Sequence, residues 1–330
     1  MVSTHGVRFA RGGNTKFADV AFSPDGRWVM AVGRNVVKFF NRRTMRPHRG
    51  TVANGARLQP FLSCTYFASI AVAGTADGKF YLFDDRHALV RRVDAHTDAI
   101  LSLHVSADGE TMASGSADGW VRLWDTEFVQ AKALDAHEWG CVDASVRGVY
   151  LRDDGSAAVG TQGSEVIEVL PGGGDVRRIT CGHSWGEAWA VAAHPTKHIF
   201  ATAGDDGTVR TWKLDGHAQT QTVKIGSLVR ALAYNPDGLR LGIGTGGQLP
   251  DGRFVEGSQG AWKVLDAETM EVVAEGQDSN RWISVVKYSP DGHTFAVGSR
   301  DHKIYLYVAA CVAVAVAVAV AMCGALLTPE

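Results

Sequence analysis

Apolar and polar residues alternate in short runs along most of the chain, and turn-forming clusters break the runs at regular intervals. "FSPDGRWVMAVG" (22–33), "VSADGETMASG" (105–115), "LRDDGSAAVG" (151–160), "YNPDGLRLGIG" (234–244) and "YSPDGHTFAVG" (288–298) share one grammar. An alternating run meets a turn of the Pro/Asp/Gly type, and a second apolar run ends in Gly. An acidic turn then opens a third run, as in "ADGKFYLF" (76–83), "ADGWVRLW" (117–124), "DDGTVRTW" (205–212) and "RDHKIYLY" (300–307). "AHPTKHIFATAG" (193–204) fits the pattern with its turn glycine replaced. A period of two puts alternate side chains on opposite faces, which is a strand and not a helix. The turns suit hairpins: Pro fixes φ, Asp bonds its own backbone, and Gly accepts a positive φ.

The grammar repeats every 40–45 residues or so, the period of a β-propeller blade. Seven units begin near Lys16, Leu58, His96, Cys141, His183, Leu228 and Arg281, and "GGQLPDGRFVEGSQG" (246–260) lengthens a loop of the sixth. One small sheet cannot bury both of its faces, so each unit has to stack on its neighbours. Each Val or Leu buried that way stabilises by roughly 1.5–3 kcal/mol. Gly6–Ala10, "GVRFA", stands before the first complete unit. It is expected to supply the outer strand of the last unit, joining the chain ends and hiding a sheet edge. The expected fold is all-β, with a seven-unit propeller over 1–308 and a low-complexity Val/Ala tail over 309–330.

"AH…GSADGWVRLWD" (95–125) and "GHSWGEAWAVAAHPTKHIFATAGDDGTVRTW" (182–212) resemble WD repeats. That resemblance implies two buried hydrogen-bonded tetrads: His96, Ser114, Asp118 and Trp124, then His183, Thr202, Asp206 and Trp212. The other units depart from the pattern. Asp77 and Asp301 stand beside Phe83 and Tyr307 with no matching His, and Arg34–Asn35 occupies the turn of the first.

The order of the units carries a narrower likeness. "VRGVYLRDDGSAAVGTQGSEVIEV" followed by the 182–212 segment, and "ISVVKYSPDGHTFAVGSRDHKIYLY" (283–307), resemble the echinoderm microtubule-associated protein-like family over roughly 15–308. The resemblance implies a non-enzymatic cytoskeletal scaffold that binds tubulin and microtubules through a propeller surface, located in the cytoplasm on the cytoskeleton. The alternative is a general WD-repeat adaptor whose partner is another protein complex. Family members carry tandem propellers, a coiled coil, a basic linker and an opening hydrophobic motif. None of these additions is legible here, so the chain reads as an interior fragment of the family. An incomplete ring, straddling the seam of a tandem pair, is the alternative to one closed propeller.

A net charge of −2 gives no global field to draw the chain onto nucleic acid, so a polyanion contact requires a local patch. Five scattered cysteines without a CxxC pair speak against a disulfide framework and a zinc site. The first residues lack the apolar stretch of a signal peptide, which leaves an intracellular compartment as the default.

His96, Ser114 and Asp118 imitate a catalytic triad in composition. Because the trio recurs as a repeat element ending on Trp, it reads as structural, with no catalytic residue expected. "HPTKH" (194–198) has the spacing of a helical metal pair, but Pro195 and the hairpin forbid the helix, so no metal is expected. "GTGG" (244–247) and "PGGGD" (171–175) lack the Lys-Ser/Thr and strand–helix context of a phosphate loop, and no cofactor is expected.

Binding features remain. "NRRTMRPHRG" (41–50) concentrates Arg42, Arg43, Arg46 and Arg49 between the first two units, either a contact for acidic tubulin tails or a solvated loop. Trp120, Trp139, Trp185 and Trp282 lie in or beside loops expected to crowd one face, as partner anchors or as packing between blades. Trp189 alternates inward and is expected in the core. "VAACVAVAVAVAVAMCGALL" (308–327) is uncharged over the length of a membrane span. It reads as a membrane anchor, as one more alternating strand, or as an end foreign to the natural protein. The last is favoured, with no membrane partner expected.

Overall fold

A computed structural model of the chain describes residues 8–11, 16–48, 59–152, 154–172, 175–181, 188–247 and 260–308, and of 8–11, 180, 181 and 217 the backbone alone. These residues form seven antiparallel sheets, and no α-helix occurs among them. Six sheets have four strands; the first has three among the described residues, Phe17–Phe22, Trp28–Gly33 and Val36–Asn41. No helix here is long and apolar enough to cross a membrane.

The innermost strands of the seven blades are Phe17–Phe22, Phe61–Phe67, Ile100–Val105, Val146–Leu151, Ala188–Ala193, Val229–Tyr234 and Ile283–Tyr288. Each touches the innermost strand of the next blade, and the first also touches the seventh. The units therefore close into one ring, which removes the incomplete-ring alternative. Closure uses the expected device. Arg8–Arg11 pairs antiparallel with Lys303–Leu306 and completes the seventh sheet from the other end of the chain.

The apolar core is divided among the seams. Seven clusters of buried side chains each join two neighbouring blades; one unites Phe17, Val29 and Phe40 of the first with Val285, Ala296 and Ile304 of the seventh. The glycine that ends the second run of a unit has its reason here. At Gly115 a Cβ would lie 2.5 Å from Val146 Cγ1 on the next blade, so only glycine lets the sheets approach.

An innermost strand is an edge facing the central channel, and its free backbone groups need partners. Neighbouring blades supply some. Cys64 N–H donates to Asp19 Oδ2 at 2.8 Å, Val149 N–H to Ser102 Oγ at 3.1 Å, and Leu151 N–H to His104 Nδ1 at 3.1 Å. Across the closing seam Ser284 Oγ donates to the Phe17 carbonyl at 2.8 Å. Burial pushes the His104 imidazole down to about 3, helped by the Lys287 charge, which keeps Nδ1 an acceptor.

The first hairpin turns hold a detail that the sequence reading overlooks. Gly26 takes φ +67° as expected, but the serine ahead of the Pro also works. Ser23 Oγ donates to Asp25 Oδ1 at 2.5 Å and accepts the Trp28 N–H at 2.9 Å, while Asp25 accepts the Arg27 N–H at 2.9 Å. Ser106–Asp108 and Ser289–Asp291 repeat the arrangement.

Candidate functional site at the channel mouth

Each innermost strand runs away from the loop that enters its blade, so the acidic turns lie at that entry end. The third blade shows the relationship: His96 from the entry loop meets Asp118 of the acidic turn, Nδ1 to Oδ2 at 3.0 Å. His96 Nε2 lies 2.8 Å from Ser114 Oγ, which accepts the Trp124 Nε1–H at 2.8 Å. The four residues thus form one chain, with His96 Nδ1–H donating to the carboxylate and Ser114 O–H donating to Nε2. Partial burial raises the Asp118 carboxyl, but hydrogen bonds from His96 and from the Thr97 and Trp120 N–H groups hold it well below the usual range. Ser114 is fully buried, and its oxygen is already engaged.

In the fifth blade Trp212 Nε1–H donates to Thr202 Oγ1 at 3.0 Å, and Asp206 pairs with Arg210 at 2.8 Å. His183 of that tetrad lies outside the described residues. Other blades substitute. Glu165 is fully buried, accepts a hydrogen bond from Thr161 Oγ1 and caps the Val142 N–H at 2.7 Å. In the seventh, Asp301 accepts from Tyr305 Oη at 2.5 Å, whereas Tyr307 donates to Asp278 at 2.7 Å. Asp77 accepts from Thr75 Oγ1 at 2.6 Å.

The residue pair of "HPTKH" is divided between two tasks. His194 Nδ1 accepts the N–H groups of Thr196 and Lys197, at 3.2 and 3.0 Å, and its ring lies against Tyr234. Burial lowers its pKa, so the ring is a neutral acceptor in the turn. His198 is exposed near Asp215. Among the described residues no cluster of three or more His, Cys, Asp or Glu could hold a metal.

At the entry end of the ring the second residue of each innermost strand faces the channel. Ala18, Leu62 and Leu101 line one side of a cavity of about 270 Å³; Arg147, Trp189, Arg230, Ser284 and, from flanking loops, Trp282 and Arg300 line the other. Charge and ring alternate there in order. Arg147 lies 5.1 Å from the Trp189 ring centre, and Arg230 lies 3.9 Å from Trp189 and 5.5 Å from Trp282. Arg300 lies 5.1 Å from Trp282. Such stacking of a guanidinium on an aromatic face is worth about 0.5–2 kcal/mol and leaves the in-plane N–H groups for other partners. Arg230 is paired with Asp205 at 3.0 Å, and Arg147 donates to Gln162 at 2.9 Å. Burial lowers the pKa of Arg300, and its Nε and Trp189 Nε1 are buried donors with no acceptor among the described residues. Gly247, where the long sixth-blade loop begins, packs against Trp282 and Arg230.

The mouth revises the reading of Trp189, which is half-buried in the channel and not in an inter-blade core. Of the rim tryptophans, Trp282 belongs to the ladder. Trp120 carries Arg122 at 5.8 Å, and Trp139 packs on the core shared by the third and fourth blades. Trp185 lies outside the described residues. The arginine run is at the opposite end. Arg42 is bound to Asp291 and Thr294 of the seventh blade, Nη1 to Asp291 Oδ2 at 2.8 Å and Nε to Thr294 Oγ1 at 3.1 Å. Arg43 and Arg46 are exposed, and Arg49 lies outside the described residues. Arg42 and Arg43 border a groove of about 560 Å³ with Arg27, Thr294 and Tyr307. Sequence reasoning missed Arg147, Arg230 and Arg300. The available signal was the column of second residues read down the repeats, where Arg147, Trp189 and Arg230 succeed one another.

Comparison with known proteins gives the family context. Residues 188–322 match the family described as "Echinoderm microtubule-associated protein second beta-propeller", and residues 88–125 match the WD domain, G-beta repeat. The first match continues past Val308, so the likeness does not end where the sequence reading has it stop. Similar proteins include echinoderm microtubule-associated protein-like 3 of Mus musculus, 26% identical over 93% of this chain and 36% of that protein. Echinoderm microtubule-associated protein-like 2 of Homo sapiens is 29% identical over 72% of this chain and 34% of its own. The 77 kDa echinoderm microtubule-associated protein of Strongylocentrotus purpuratus is 26% identical over 72% and 32%. The chain spans about a third of the length of these curated relatives. The resemblance read from the sequence is borne out: this closed ring is a WD-repeat propeller related to the echinoderm microtubule-associated protein-like family.

Proposed function

We propose that this chain is a non-enzymatic cytoskeletal scaffold that contacts tubulin or microtubules through a surface of the propeller. Relatives named as microtubule-associated proteins, matching most of the chain, direct the reading to that partner. The observation that carries it is the alternating Arg–Trp ladder at the channel mouth. A near-neutral protein needs a concentrated cationic patch to meet an acidic filament, and aromatic rings beside arginine are strong interface anchors. Trp120 and Trp139 on the entry side of the ring, and Arg43 and Arg46 at the far end, are supporting contacts in this reading. The location that follows is the cytoplasm, on the cytoskeleton.

Co-sedimentation with polymerised tubulin at low and moderate salt tests the proposal. The chain should pellet with the polymer, less so as salt rises. A chain that stays in the supernatant at low salt overturns it, and capture of a different protein complex would then favour the general adaptor.

A further inference from the structure

We infer that the channel mouth is a binding site for one carboxylate of an acidic peptide, a glutamate or aspartate side chain held by the Arg230 and Arg300 guanidinium groups beside Trp282. The inference deepens the reading of the preceding subsection and rests on it only for the choice of a protein partner.

Three arginines converge on the cavity, and Arg230 is paired there with Asp205. Arg300 has no carboxylate partner among the described residues, although it is partly withdrawn from water. A cation in that position is stabilised by an entering anion more than an exposed one would be, because the surroundings screen the attraction poorly. Trp282 lies between Arg230 and Arg300, at 5.5 and 5.1 Å from their guanidinium carbons. The ring thus stands beside both guanidinium groups, whose paired N–H donors have the geometry that suits a planar carboxylate.

Size and wall chemistry narrow the ligand. A cavity of about 270 Å³ is smaller than most small-molecule sites, which begin near 300 Å³, and suits one side chain. Ala18, Leu62 and Leu101 close the other side without a competing polar group and suit the methylenes of an acidic residue. Single-stranded nucleic acid is disfavoured because the arginines gather at one hole and do not form a stripe that tracks a backbone.

The test uses the whole chain and fluorescence anisotropy of labelled peptides. An N-acetylated, C-terminally amidated penta-glutamate peptide should bind saturably and at least about tenfold tighter than its amidated penta-glutamine counterpart. Penta-glutamine with a free C-terminus should bind as weakly as the amidated form. Arg300→Gln should cost about tenfold, Arg300→Lys should restore part of it, and Arg86→Gln, in an exposed turn at the far end, should leave affinity within about twofold. Unfolding midpoints of the variants identify any that are merely misfolded; if Arg300→Gln is, the two amidated wild-type arms decide. Equal binding of the glutamate and glutamine peptides overturns the inference, as does a folded Arg300→Gln with wild-type affinity. Tight binding of the free C-terminus instead of the glutamate side chains also overturns it, as does stronger displacement by inorganic phosphate or an oligonucleotide than by excess unlabelled peptide. Failure here with intact co-sedimentation sinks the carboxylate site and leaves the scaffold reading; peptide binding without co-sedimentation does the reverse.

Discussion

Arg42 of the first blade and Asp291 of the seventh meet in a two-pronged ion pair, Nη1 to Oδ2 at 2.8 Å and Nη2 to Oδ1 at 3.2 Å. They lie 249 residues apart in the chain and span the seam where the ring closes. A cation that the sequence offers as part of a binding patch is thereby engaged in closure, together with the outer strand contributed by Arg8–Arg11.

This pair should give the seam a pH dependence. Partial burial raises the Asp291 carboxyl, but hydrogen bonds from Arg42, Ser289 and the His293 N–H, with the Arg42 charge, hold it well below its ordinary 3.8. The unfolded chain therefore takes up the proton first as pH falls. The stabilisation is present above 3.8 and disappears as pH falls through the folded value. Asp291 is nearly half exposed, so Asp291→Asn should cost at most about 1 kcal/mol near neutrality. Melting curves of the two proteins from about pH 7 to about pH 2 should begin to draw together below about pH 4, without yet meeting; a constant gap would assign the loss to something other than the charge.

The third-blade tetrad should behave as one unit. Removing the ring in His96→Ala leaves Ser114 and Asp118 buried without their shared partner, a loss of about 3 kcal/mol. Trp124→Phe keeps most of the apolar burial and removes one donor to Ser114, for about 1–2 kcal/mol. Urea unfolding midpoints should fall in that order. An unchanged midpoint for His96→Ala would mean that the buried chain contributes nothing to stability.

Gly115→Ala tests the close approach between the third and fourth blades. The new methyl would stand 2.5 Å from Val146 Cγ1 and 3.2 Å from its Cβ, so the blades must part or Val146 must turn. Such overpacking costs about 1–3 kcal/mol, and Val146→Ala should recover part of it in the double variant. Additive losses in the two single variants would show that Val146 is not what the methyl meets.

The two ends of the ring should contribute differently to polymer binding. Arg43→Glu with Arg46→Glu reverses two exposed charges and should weaken co-sedimentation at low salt, with the effect fading at moderate salt. Arg300→Gln should weaken it at both, because a partly buried cation is screened less. Equal salt sensitivity of the two variants would place the contact outside the channel mouth.

The local grammar was enough for the blades. Alternation and the Ser/Asp/Gly turns such as Ser23–Gly26 depend on residues a few positions apart, so the strands and their hairpins were readable directly. The third-blade tetrad was readable for the same reason, since His96, Ser114, Asp118 and Trp124 occupy fixed places in one repeat. The channel mouth was not, because its ladder draws Arg147, Trp189, Arg230 and Trp282 from four successive blades. Trp189 shows the cost of reading one strand at a time. Alternation says only that it leaves one face of its sheet, and near the axis that face borders a channel as well as a neighbour.

The amino-acid order by itself determined the sheet class, the repeat, the count of blades and the strand held in reserve for closure, since each is written within one repeat or at a chain end. The folded ring decided where the charges went. Closure took Arg42 into a seam, turned Arg43 and Arg46 to the far end, and gathered three arginines around two tryptophans at the axis. The physical reason is geometric: equivalent positions in successive repeats lie about 40 residues apart along the chain, yet the ring's rotation brings them side by side around one hole.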